Sequence, residues 1–305
     1  MKDLNALLAA KRVLLSDGAW GTQLSQRGLQ PGECPEQWNF DRRDDVKAVA
    51  SSYVGAGSDI ILSNTFGGNP IKLAKAGLKG KTREVNRLGA NISKEAAGDR
   101  ALVFASVGPT GEFMEPLGDI TEQQMIDCFA EQIRGLVEGG ADGIVIETFT
   151  DLGEAKAALR AAREVVGAGH CCPPACGKLP VVISMTYSRG PAGFATMMGV
   201  RPDQAARELE AAGVDLVGSN CGTGIADMIE VAALMRPATK LPLWIKPNAG
   251  LPQLVNGKTI FRETPEQMAA QFPALVKAGA NVVGGCCGTT PEHIRQLARQ
   301  RQMMR

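Results

Sequence analysis

Histidine is nearly missing from this chain: there are two in 305 residues, His170 and His293. That leaves little scope for chemistry built on imidazole. Net charge is nearly missing too, at +1, and no basic run stands out. Bulk electrostatics therefore do not point to a nucleic acid or a membrane surface. No apolar run approaches the length of a membrane span. The opening stretch "MKDLNALLAAKRVLL" is broken by Lys11 and Arg12, so it lacks the uninterrupted apolar centre of a secretory signal. These absences together imply a soluble, cytoplasmic protein. Linkers rich in Pro, Gly or Ser and low-complexity tracts are also lacking. So are the Gly-x-Gly-x-x-Gly and Walker patterns, and "GPTGE" (108–112) and "PNAGLPQ" (247–253) therefore read as turns rather than phosphate loops. Cysteine, by contrast, is plentiful: eight residues in a compartment where disulfides are uncommon. Metal binding, catalysis and simple burial are the options they leave.

A repeat organises the chain. Four segments read Gly-x-(Asp/Asn), then an apolar run, then a chemically capable residue seven positions after the Gly. They are "GSDIILSN" (Gly57 to Asn64), "GADGIVIE" (Gly140 to Glu147), "GVDLVGSN" (Gly213 to Asn220) and "GANVVGGC" (Gly279 to Cys286). A helical pattern precedes each one. In "TEQQMIDCFAEQIRGLVEGG", Ile126, Phe129, Ile133 and Val137 share one helix face, and Thr121 with Gln124 resembles a capping box. The Gly then reads as a helix C-cap and the apolar run as a buried strand. Four more apolar runs lie between the repeats, at 12–17, 101–107, 180–186 and 242–247. Eight short strands alternating with helices are the rhythm of a (β/α)8 TIM barrel, α/β in class. A doubly wound open sheet shares that rhythm but does not require eight strands. One barrel domain over residues 1–305, with its core at about 10–297, accounts for the whole chain.

Active sites of such barrels form at the C-terminal strand ends. Here those ends carry Asp17, Asn64 and Thr65, Gly108, Glu147, Thr186, Asn220 and Cys221, Asn248, and Cys286 and Cys287. Cys221 ends strand six in "GSNCGTG", and Cys286 and Cys287 follow strand eight in "GGCCGTT". Three thiolates at one mouth make a three-cysteine zinc site with a fourth position open, as catalytic zinc is usually held. Adjacent side chains on an extended strand point to opposite faces, so both neighbouring sulfurs reach one ion only if the backbone turns. Gly284, Gly285 and Gly288 are read as giving it that freedom. The alternative is three small buried thiols in a tight turn. A second cluster, His170, Cys171, Cys172 and Cys176 in "GHCCPPACGK", falls between helix four and strand five, at the opposite face, and reads as a surface insertion. Cys128 and Cys34 read as packing or bystander residues, and His293 as a first-turn helical residue after Thr290 and Pro291. Asp17 and Glu147 are open to three readings: a pair that binds a substrate ammonium group, buried acids satisfied by backbone donors, or acid–base catalysts.

The segments "DGAWGTQL", "NTFGGN", "GPTGE", "IETFTD", "NCGTG", "PNAG" and "GGCCGTTPEH" resemble, in order and over nearly the whole chain, the homocysteine S-methyltransferase family. That family includes the homocysteine-binding module of cobalamin-dependent methionine synthase and betaine–homocysteine methyltransferase. The resemblance implies a (β/α)8 barrel with Cys221, Cys286 and Cys287 as zinc ligands. It implies that Asp17 and Glu147 contact the homocysteine amino group, with the backbone at Gly18 near the carboxylate. Asn64, Thr65 and Asn220 complete the expected substrate site. The insertion from His170 to Cys176 departs from the family pattern.

The chemistry expected on that basis is methyl transfer to a zinc-bound homocysteine thiolate, forming methionine. A free thiol, with a pKa of about 8.5, is mostly protonated and poorly nucleophilic at neutral pH. Coordination to zinc deprotonates it. Zinc-assisted hydrolysis with water in the open position is a competing reading, although the deaminase signature is missing. A non-catalytic, metal-regulated binding module is a third, and the polar strand ends argue against it. For the methyl donor the reading leans to a methyl-corrinoid on a separate protein, because the chain ends soon after the barrel. Betaine or S-methylmethionine is the alternative. Trp38 matches a cage tryptophan of the betaine enzyme, and Trp20, Tyr187 and Asn248 are further candidates for a donor site. Gly67 and Thr148 stand where that enzyme carries cage tyrosines.

Overall fold

The structure is a computed structural model, and it describes residues 4–167, 179–222, 224–255 and 258–304. The cluster from His170 to Cys176 lies outside the described residues. Eight parallel strands form the sheet: β1 (Leu14–Leu15), β2 (Ile60–Ile61), β3 (Leu102–Val107), β4 (Gly143–Phe149), β5 (Val181–Met185), β6 (Leu216–Cys221), β7 (Leu243–Pro247) and β8 (Ala280–Val283). Each pairs with its sequence neighbour, and β1 closes back onto β8. At the remaining seam, β1 and β2 share no regular ladder. Asp59 bridges it instead, its amide donating to Leu15 O at 2.7 Å and its carboxylate accepting from Leu15 N at 2.9 Å. The eight-stranded barrel read from the sequence is thus nearly closed, with helices packed outside it.

The Gly-x-(Asp/Asn) repeat has a physical cause. Its glycines adopt left-handed conformations (φ 102° at Gly57, 87° at Gly140, 85° at Gly213, 111° at Gly279), which end the preceding helices without a Cβ penalty. The polar residue two positions on then captures a backbone N–H at the start of the preceding strand. Asp142 accepts from Val103 N at 2.8 Å, Asp215 from Val181 N at 2.8 Å and Asn281 from Leu243 N at 2.9 Å, as Asp59 does from Leu15 N. Each such bond is worth about 1 kcal/mol net, and together they set the register of alternate strands at the barrel's lower rim.

Inside the barrel, an apolar plug of Leu14, Ile60, Phe104, Val145, Val182 and Trp244 fills the lower half, with Phe104 and Trp244 stacked at 5.8 Å. Gly218 makes room for it, since a Cβ there would lie 1.9 Å from Trp244 O. Strand side chains alternate with period two. Two residues above Phe104, Val145, Val182 and Trp244 stand Ser106, Glu147, Ser184 and Lys246. The plug therefore gives way to a polar layer directly below the mouth. The capping box expected at Thr121 and Gln124 forms, as does one joining Thr290 to His293. Two hairpins absent from the strand count, Ser188–Gly190 with Gly193–Ala195 and Gln253–Val255 with Lys258–Ile260, extend the loops after β5 and β7. Among the described residues no helix is long and apolar enough to cross a membrane.

Candidate functional site

The three cysteines named from the sequence meet at the top of the barrel. Cys221 Sγ lies 2.9 Å from Cys286 Sγ and 4.0 Å from Cys287 Sγ, and the latter two are 4.0 Å apart. Among the described residues this is the one group of three or more Cys, His or acidic side chains placed to hold a metal. A tetrahedral zinc with Zn–S bonds of about 2.3 Å sets its sulfurs about 3.8 Å apart. Two of the three separations match that spacing, and the Cys221–Cys286 pair is closer. The donor set fits zinc.

The local backbone differs from the expectation in one respect. Gly288 is left-handed (φ 80°), but Gly284 and Gly285 are not. They are required for space: a Cβ on Gly284 would lie 2.6 Å from Asp17 O, and one on Gly285 would lie 2.3 Å from Thr289 Oγ1. The strained residue is Cys221 itself, at φ 61°, joined by Thr148 at φ 67°. Such conformations are uncommon outside glycine, and for a β-branched residue they need support from the surroundings. Asn220 supplies it. Fully buried, its Oδ1 accepts from Thr148 N at 2.9 Å and from Ser184 Oγ at 2.7 Å. Its Nδ2 donates to Thr148 Oγ1 at 2.7 Å and points toward Cys221 Sγ at 3.5 Å and Cys286 Sγ at 3.8 Å. The Cys286–Cys287 turn is pinned separately: Cys286 N donates to Pro247 O at 2.7 Å, and Thr289 Oγ1 donates to Cys286 O at 2.7 Å. Hydrogen bonds from Cys221 and Cys286 pull the Cys287 thiol down, while Cys221 is pushed up by its bonds to Cys286 and Cys287.

These sulfurs line a cavity of about 690 Å³. Of the expected substrate residues, Gly18, Asn64, Thr65 and Glu147 line it, and Asn220 touches it through the sulfurs. Glu147 is held by Ser106 Oγ at 2.5 Å. Burial pushes its carboxyl up to about 7, with Lys246 opposing the rise. Asp17 is not on the wall. It is fully buried and forms an ion pair with Lys246 at 2.7 Å. Lys246 is the site residue that the sequence reading passed over. The available signal was a lysine inside the apolar run "PLWIKP", two positions after Trp244 and so phased inward. Burial lowers the Lys246 ammonium, but Asp17 and Glu147 outweigh it and hold it above the ordinary range.

Of the donor-site candidates, only Trp20 lines the cavity. Trp38 is buried, with the Arg42 guanidinium 3.9 Å above its ring. Tyr187 is buried in the outer core, and Asn248 donates to Gly222 O at 3.2 Å. Phe66 lines the wall, with the Lys72 ammonium 5.1 Å above its ring. Cys34 also reaches the cavity, but burial and then Glu36 push its thiol up to about 11, so it stays protonated. Cys128 is buried in the helix Glu122–Glu138, as packing requires.

A family model described as homocysteine S-methyltransferase matches residues 14–301. The methionine synthases of Mycobacterium leprae (strain TN) and Mycobacterium tuberculosis (strain ATCC 25618 / H37Rv) are each 32% identical over 304 residues, covering 95% of this chain and 24% of theirs. The chain thus spans about a quarter of the length of the curated relatives it matches. Among solved structures, the metallated form of the homocysteine methyltransferase MmuM from Escherichia coli superposes with a TM-score of 0.78 at 24% identity, over 97% of this chain and 99% of that one. The oxidised form of the same protein gives a TM-score of 0.78 at 21% identity, over 98% and 100%. At those identities the likeness speaks for the fold.

Proposed function

The chain belongs to the homocysteine S-methyltransferase family, and on that premise we propose that it methylates the sulfur of homocysteine to form methionine, using zinc held by Cys221, Cys286 and Cys287. The observation that carries this reading is the convergence of three sulfurs from two distant loops, within 4.0 Å of one another, on the wall of the cavity that Glu147 also lines. Zinc bound there supplies a Lewis acid that keeps an acceptor thiol ionised near neutral pH. The protein's own residues do the rest. Asn220 holds the Cys221 loop in its strained form, and Ser106 orients Glu147 toward the acceptor's ammonium group. Gly18 brings the backbone to the wall beside them, where the acceptor's carboxylate is received. Asn64 and Thr65 are tied to Pro35 O and Ser106 O, so they shape the wall. In the reaction the acceptor sulfur loses its proton and its lone pair forms the S–CH3 bond. The donor leaves with the electron pair of the bond that held the methyl group.

For the donor we favour a methyl-corrinoid presented by a protein surface. Two features support it over betaine. A quaternary ammonium binds open aromatic faces, and here Arg42 occupies Trp38 while Lys72 sits over Phe66. Exposed apolar side chains also stand on the loops above the mouth: Phe113 and Leu117 after β3, Met197 and Met198 after β5, Leu251 and Leu254 after β7. A rim of that kind fits a macromolecular donor better than a small polar one. The test is an assay of the purified, zinc-loaded chain with homocysteine and, in turn, methylcobalamin, betaine and S-methylmethionine, with methionine read by mass spectrometry. Methionine is expected from methylcobalamin. Methionine from betaine, lost in Trp38→Ala, would replace the corrinoid assignment, and no methionine from any donor together with no binding of homocysteine to the zinc-loaded chain would refute the methyltransferase reading.

A further inference from the structure

The two carboxylates at the site are not equivalent, and Lys246 is the reason. An ionised carboxylate has about four lone-pair sites for donors. All four of Asp17's are taken: Oδ1 accepts from Lys246 Nζ at 2.7 Å and from Ser16 Oγ at 3.3 Å, and Oδ2 accepts from Trp20 Nε1 at 2.7 Å and from Leu62 N at 2.7 Å. Both members of the Asp17–Lys246 pair are almost wholly buried, with side-chain exposures of 0% and 2%. A buried carboxylate so surrounded has no acceptor left for an incoming cation. Glu147 is the opposite case. Among the described residues Ser106 Oγ alone donates to it, on Oε1, and the side chain lines the cavity. Lys246 lines the same cavity, and both acids act on its ammonium.

Resting on the methyl-transfer reading, we propose that Lys246 is a positioning residue: it completes the cage around Asp17 and leaves Glu147, of these two acids, as the carboxylate presented to the acceptor's amino group, so that the site prefers a thiol that bears one. Asp17 then organises Trp20 and β2 and does not touch the substrate.

The test compares two thiols on the full, zinc-loaded chain by calorimetry: homocysteine, and 4-mercaptobutyrate, which has the same thiol and carboxylate but no ammonium. The wild type should prefer homocysteine. Glu147→Gln should lose at least tenfold of that preference. Asp17→Asn should weaken both thiols by a similar factor, leaving the preference within about threefold of the wild type. Lys246→Met alone strands Asp17 and should lower the melting temperature. The double variant Asp17→Asn/Lys246→Met, neutral and similar in volume, should recover much of that loss and retain the preference for homocysteine. It also stands in for Asp17→Asn if the single variant does not fold. Loss of the preference in either Asp17 variant, to the extent seen in Glu147→Gln, would mean that Asp17 itself binds the ammonium and would overturn the proposal. Failure of the loaded wild type to bind either thiol would instead refute the methyl-transfer reading, and this inference with it.

Discussion

Replacing Asn220 by alanine tests whether the strained loop under the sulfurs is held by one side chain. The substitution removes the acceptor of two donors, Thr148 N and Ser184 Oγ, in a region where Ser184 and Asn220 are both fully inaccessible. Each stranded donor costs about 1–3 kcal/mol. The loss of the Asn220–Thr148 clasp also lets Thr148 leave φ 67°, which returns about 1–3 kcal/mol of strain. Two penalties against one relief leave a net loss of about 2 kcal/mol, the size of one such penalty. At about 2–4 °C per kcal/mol for a large domain, the melting temperature should fall by about 4–8 °C. The measurement is thermal unfolding of metal-free protein by circular dichroism, with Ser184→Ala as a control that removes only one arm of the network and should cost about 1 kcal/mol. Zinc affinity, read by chelator competition, should fall in Asn220→Ala and hold in Ser184→Ala. A melting temperature within about 2 °C of the wild type, with zinc affinity unchanged, would show that Cys221 and Thr148 keep their conformations without Asn220 and would refute the reasoning.

Metal analysis should give one zinc per wild-type chain and far less in Cys221→Ala, while Cys34→Ala, which removes a protonated thiol, keeps the metal. Full zinc in Cys221→Ala would sink the three-cysteine assignment. His293 should contribute to acid sensitivity. Burial lowers its pKa below the ordinary 6.5, and its ring faces Thr290 N and Glu263 O. The unfolded chain therefore takes up this proton first, so the stabilisation is complete above pH 6.5 and is lost as pH falls through the lower folded value. His293→Gln, which preserves the capping box, should flatten the drop in melting temperature between about pH 7 and pH 5, and an unchanged slope would refute this. Gly218→Ala should be among the most damaging small substitutions, costing about 3 kcal/mol or more, because its Cβ would lie 1.9 Å from a backbone carbonyl that cannot withdraw. A soluble variant with a wild-type melting temperature would contradict that packing.

Much of this molecule is legible along the chain because its determinants are local. Apolar runs of strand length, glycines that end helices, and a polar residue at each strand end repeat at regular intervals, and parallel strands joined by helices have few ways to close. Cys221 and the Cys286–Cys287 pair were legible for the same reason, since each sits at a strand end and strand ends share one face. The sequence reading erred over the turn at Gly284 and Gly285, because space and backbone freedom look identical in a string of letters. It passed over Lys246 because a lysine in a strand reads as solvent-facing until the facing acid is known. Trp38 stays open as a cage residue in the sequence, although Arg42, four positions on, covers its ring.

What the sequence by itself determined was the alternation of strands and helices, the polar residues at the strand ends, and the side chains that share the barrel mouth. All of these follow from periodicity and from steric rules acting over a few residues. What only the tertiary structure decided was which of those residues have spare bonding capacity. Asp17 and Lys246 lie 229 positions apart, and they meet because the barrel closes β1 onto β8 beside β7. Closure saturates Asp17 and leaves Glu147 open to the cavity, a difference set by donors brought in from other strands.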